Sequence, residues 1–165
     1  MNGPHATGKD FFHASRDRLA SPQAGRAWLA TLASLACAIT VAIGSVGPWV
    51  YYTLGSAAEP PTWTMYGLRG DGVFSLLLSL IAIVTLVASL RSHEPGFPAW
   101  IAFGALALCA IIGVFDWIIF GPEELTYAPA ARADIITAAW GLKLVGIAAP
   151  AGAICAFFLT QSVDE

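Results

Sequence analysis

Charge is scarce in this chain. Of its 165 residues only 12% are Asp, Glu, Lys or Arg, about half the share that a water-soluble domain carries. A large soluble domain is excluded on that count. Eight Lys plus Arg stand against 11 Asp plus Glu, for a formal net charge of -3, so no basic face exists to neutralise a phosphate backbone. Nucleic acid is not expected as a partner.

Cysteine and histidine are as sparse, three of each. Cys37, Cys109 and Cys155 all lie inside apolar runs, away from the loops where an extracytoplasmic disulfide forms. None has C-x-x-C spacing, and His5, His13 and His93 are distant from them in sequence; no zinc-ligand set can be drawn from these residues. The cysteines read as small apolar packing residues. Phosphate-cradle, dinucleotide, zincin and nucleophile-elbow motifs are absent. The serines of the apolar runs (Ser34, Ser45, Ser75, Ser79 and Ser89) have no histidine at comparable depth to serve as base. Neither enzyme activity, a cofactor nor a metal is expected.

Apolar residues are what the chain has in excess, at 57% with a mean hydropathy of +0.69. A helix rises about 1.5 Å per residue and the hydrocarbon core is about 30 Å thick, so a span takes roughly 20 apolar residues. Four segments meet this: 27–47, 72–90, 99–120 and 135–159. The expectation is an all-α membrane protein, a four-transmembrane-helix bundle, with 1–26 a flexible cytoplasmic tail, 27–160 the membrane domain and 161–165 a short cytoplasmic tail. The first apolar run, preceded by Lys9, Arg16, Arg18 and Arg26, is longer than the roughly 7 to 15 residues of a cleavable signal core. It reads as an uncleaved span. Phe11, Phe12 and Leu19 fall in the tail.

Basic residues fix the orientation. Lys9, Arg16, Arg18, Arg26 and Arg91 fall on one side of the spans, Arg69 and Arg132 on the other, which predicts a multi-pass plasma-membrane protein with both termini cytoplasmic. Trp28 and Trp100 mark the inner boundary, and Trp49, Trp117 and Trp140 the outer one. Pro95 and Pro98 are expected to stop the helices at the inner turn. In the first outer loop, two runs rich in aromatic and β-branched residues flank a turn-like segment at 55–61, predicting a small β-hairpin over the outer mouth. The two halves are not inverted copies of one another, as an alternating-access transporter requires.

Asp116 lies in the third span and Lys143 in the fourth, where an isolated charge costs several kcal/mol. Asp116 shares a helical stripe with Ala105, Cys109 and Gly113, and Lys143 one with Gly146, Pro150 and Ala153. Because small residues mark close helix approach, both charges are expected to point inward, joining Asp71 in a polar cluster with Arg69 nearby. An Asp116–Lys143 ion pair fixing helix register, an ion relay, and two snorkelling side chains are the alternatives. Pro150 predicts a kink, and Ala148, Gly152 and Ala156 a packing ladder within the bundle or between protomers.

With the spans placed, four short elements carry a resemblance: Gly44-Ser-Val-Gly-Pro-Trp49 ending the first span, Gly70-Asp71-Gly72 opening the second, Asp116 near the end of the third and Trp140-Gly-Leu-Lys-Leu144 opening the fourth. In these the chain resembles small four-span integral membrane proteins common in actinobacteria, over residues 27–160. The resemblance implies topology and assigns no activity. The functional expectation is a non-enzymatic accessory or scaffolding protein of a cell-envelope complex. Its partners would be the lipid bilayer and, through small-residue helix faces and the outer loop, itself or another membrane protein. The alternatives are a small oligomeric channel or ion-coupled transporter using the Asp/Lys cluster, and a prophage-type exclusion protein.

Overall fold

The computed structural model describes residues 22–54, 62–91, 96–120 and 134–161. In chain order these form α1 (Pro22–Val46), β1 (Pro48–Leu54), β2 (Thr62–Tyr66), a 3-10 turn (Gly67–Arg69), α2 (Gly72–Arg91), α3 (Gly96–Phe120), β3 (Asp134–Ala138) and α4 (Trp140–Gln161). Lys9, Phe11, Phe12, Arg16, Arg18 and Leu19 of the tail lie outside the described residues, as do His5, His13, His93, Pro95 and Arg132.

All four helices are long and apolar enough to cross a bilayer. They pack as a ring in which α1 touches α2 and α4, and α3 touches the same two neighbours. Their outward faces carry large apolar side chains such as Ile43, Phe74, Val84, Ile111, Ile118 and Phe158, all more than half exposed. Such a surface suits lipid and not water. The interior is built mainly from small residues: Ala38, Ala82, Ala99, Ala102, Ala149 and Ala156 are completely buried, with Leu86, Leu106, Leu142 and Val145 filling the space between them. Small side chains let the backbones approach closely, which is the main source of packing energy where lipid tails are as apolar as the helices.

Buried hydroxyls are satisfied locally. Thr31 Oγ1 donates to the Ala27 carbonyl at 2.9 Å and Ser45 Oγ to Val41 at 2.7 Å, the back-bonding expected of Ser and Thr in a span. Ser34 is different: its Oγ donates across the bundle to the Gly152 carbonyl at 3.2 Å, tying α1 to α4.

The expected hairpin is present and is joined by a third strand. β1 pairs antiparallel with β2, Val50 opposite Met65 through Thr53 opposite Thr62. It also pairs antiparallel with β3, Val50 opposite Ala138 through Leu54 opposite Asp134, giving the order β2-β1-β3. This sheet caps the bundle at the end where α1 and α3 finish and α2 and α4 begin. The fourth span is corrected accordingly: residues 135–138 belong to a strand, and the helix starts at Trp140. Ile135, Ile136 and Thr137 are β-branched, and β1 offers them a ladder of backbone partners that overrides their apolar reading as helix.

At the opposite end, α3 begins at Gly96 and carries Pro98 in its first turn. Pro98 therefore starts a helix rather than stopping one, since the first turn's N–H groups have no intrahelical acceptor to lose. Trp100, Phe103 and Phe157 close this end as an aromatic cluster, with ring centroids 5.7 to 6.4 Å apart.

Candidate functional site

The sheet is held on the helix ends by Trp49. Pro48 pairs with Tyr66 and Val50 with Met65, leaving Trp49 at an irregularity in the β1–β2 ladder. A bulge of this kind re-aims a side chain, and here Trp49 and Val50, adjacent in sequence, are both buried at 5% and 2% exposure. The Trp49 carbonyl accepts from Ala139 N–H at 2.8 Å, and its Nε1 donates to the Gly44 carbonyl at 3.0 Å. Trp49 is thus an interior residue and not the headgroup-level aromatic its position in the sequence suggested.

Glycines make this junction possible. A Cβ on Gly67 would overlap the Trp49 indole and the Ser45 carbonyl oxygen. Gly44 and Gly141 bring α1 against α4, a Cβ on Gly44 falling 2.8 Å from the Gly141 oxygen and one on Gly141 falling 2.6 Å from the Gly44 oxygen. Deeper in the bundle, a Cβ on Gly113 would sit 2.8 Å from Val145 Cγ1, one on Gly146 2.6 Å from the Trp117 ring, and one on Gly152 2.7 Å from Cys37 Cβ. Ala148 and Ala156 are buried as well. The ladder of small residues is occupied inside one bundle. Pro150 is half-buried within α4, which continues on both sides of it.

Beneath the sheet lies a cavity of about 300 Å3 lined by Trp49, Val50, Met65, Tyr66, Gly67, Gly70, Asp71, Phe115, Asp116, Ile119 and Phe120. Two of the three expected polar-cluster residues meet here. Asp71 precedes the first turn of α2, where its carbonyl accepts from Ser75 N–H at 3.1 Å, and its side chain is exposed. Asp116 lies about 6 Å before the end of α3 and is buried, at 6% exposure. Both residues line this one cavity.

Lys143 is not part of this group. It is exposed and is not among the cavity-lining residues, sharing an outward stripe with Ile147, Ala151, Ile154 and Phe158. α4 turns Gly141, Leu142, Val145 and Gly146 into the bundle, which leaves Lys143 on the outward side of its first turn. Arg69, also exposed, lies outside the cavity lining.

The aromatic lining was not legible from spacing, since Tyr66 comes from β2, Trp49 from β1, and Phe115 and Phe120 from α3. Among the described residues no group of three or more His, Cys, Asp or Glu side chains is placed to hold a metal ion. No protein-family model matches the chain, and no curated protein matches it significantly.

Proposed function

We propose that this protein is a non-enzymatic, multi-pass plasma-membrane protein that acts as an accessory or scaffolding component of an envelope complex, and that it meets its partner through the sheet. The observation that carries this reading is strand β2. Among the described residues it forms one edge of the sheet, and Thr62, Trp63, Thr64 and Tyr66 are all exposed, Trp63 at 64% and Tyr66 at 51%. An edge strand presents unpaired backbone groups to any chain that can add a further strand, and exposed Trp and Tyr are the side chains most often found as anchors of an interface. The small-residue faces of α3 and α4 are already used inside the bundle, which directs association to the sheet.

The orientation follows from charge. Arg26 and Arg91 stand at the end where α1 begins and α4 finishes, which the positive-inside rule assigns to the cytoplasm, so the sheet faces outward. Ion conduction by a single bundle is disfavoured by an interior filled with Ala, Ser and Leu side chains at or near zero exposure.

Site-specific photocrosslinking in native membranes tests the proposal. A crosslinking residue at Thr62 or Thr64 should give a defined protein adduct identifiable by mass spectrometry, whereas one at Ile147, on the lipid-facing stripe, should give none. Adducts absent from β2, or equally abundant at Ile147, would remove the sheet as the docking element. Labelling of single cysteines at positions 26 and 63 by an impermeant reagent in intact cells should mark only the second.

A further inference from the structure

We infer that the cavity between Asp71 and Asp116 is a binding site for an ammonium group, carried either by a small free amine or by an amine-bearing lipid headgroup. This inference does not depend on the scaffolding role.

Asp116 is 94% buried in the sense that 6% of it is exposed, it lines the cavity, and among the described residues it has no hydrogen bond or ion pair. A buried carboxylate without a partner is expensive. Its place in the last turns of α3 adds to the cost, because the C-terminal end of a helix carries partial negative charge. Asp71, which lines the same cavity, has the same sign. The charged groups that line the cavity among the described residues therefore favour a cation.

The walls select the kind of cation. Two carboxylates are too few for a dedicated calcium cage, which takes six to eight oxygen ligands. Trp49, Tyr66, Phe115 and Phe120 instead offer aromatic surface, which binds ammonium and quaternary ammonium groups through the ring quadrupole. A volume of about 300 Å3 is at the small end of ligand pockets. Exposed Asp71 marks the entrance and buried Asp116 the base. In this arrangement the cation enters past Asp71, places its charge against Asp116 and packs its carbon atoms on the rings.

The test uses the purified full-length protein and two readouts. Thermal unfolding is followed in tetramethylammonium chloride or ethanolamine hydrochloride against sodium chloride at equal ionic strength. Native mass spectrometry then follows lipid retained from nanodiscs of mixed phosphatidylethanolamine and phosphatidylglycerol. Stabilisation of the wild type by the amines, weakened about tenfold or more in Asp116→Asn, identifies a free amine. Selective retention of phosphatidylethanolamine, lost in Asp116→Asn, identifies the headgroup. Asp71→Asn alters an exposed rim residue and should weaken whichever signal is seen, so the proposal stays testable should Asp116→Asn not fold. Stabilisation by sodium equal to that by the amines, binding unchanged in either variant, or neither signal in the wild type would overturn it.

Discussion

Trp49 replaces the hydrogen bond that Pro48 removes from Gly44. In a continuing helix the Gly44 carbonyl would accept from the N–H of residue 48, but proline has none. The indole Nε1 of Trp49 takes that place at 3.0 Å, beside the Gly47 N–H at 3.2 Å. One side chain therefore ends α1, caps it and anchors the sheet. Trp49→Phe keeps one aromatic ring but loses the bond and part of the indole volume, and should cost about 1 to 3 kcal/mol; Trp49→Ala leaves a larger cavity and should cost about 3 to 5 kcal/mol. Reversible unfolding in mixed micelles measures both, and equal costs would mean that the indole N–H, and not the ring volume, holds the junction.

The glycines are not equivalent. Gly67→Ala puts a methyl group into Trp49 and the Ser45 carbonyl, neither free to move, and should destabilise by about 1 to 3 kcal/mol. Gly104→Ala has nothing within 4 Å and should be neutral or stabilising by up to about 1 kcal/mol, since alanine is the better helix former. Comparing the two melting temperatures checks this directly, and a larger loss at position 104 would contradict the placement of both.

Gly146 and Trp117 should behave as a pair. The Trp117 ring lies where a Cβ on Gly146 would be, so Gly146→Ala should be strongly destabilising alone and much less so on a Trp117→Leu background, with a coupling of about 1 to 2 kcal/mol. Additive losses would show that the contact is not what keeps residue 146 small.

Asp116 and Lys143 should show no such coupling. One is buried beneath the sheet and the other exposed on the outer stripe of α4, so a double-mutant cycle of Asp116→Asn and Lys143→Met should return less than about 0.5 kcal/mol. In amine-free buffer Asp116→Asn alone should leave stability unchanged or raise it, because it removes an uncompensated buried charge. A coupling above about 1 kcal/mol would restore the ion pair that the sequence suggests.

Four helices long and apolar enough to cross a membrane, their order and the hairpin after the first of them were legible in the chain itself. Scarce charge, four apolar runs of sufficient length and two aromatic, β-branched runs around a turn act locally, and local patterns survive in sequence. A helix also satisfies its backbone polar groups within one segment, which is what an apolar run of this length needs inside a bilayer. Three features needed the tertiary structure. Residues 135–138 became a strand only because β1 lies within pairing distance, Trp49 went inward only because Pro48 leaves a carbonyl to satisfy and Gly67 leaves room, and Lys143 faces outward because α4 packs on the bundle through Gly141, Leu142, Val145 and Gly146. The cavity on Asp71 and Asp116 is of the same kind: β1, β2, the turn before α2 and the end of α3 each contribute part of its wall. Contacts between segments this far apart in the chain depend on backbone placement, and no periodicity along one segment encodes them.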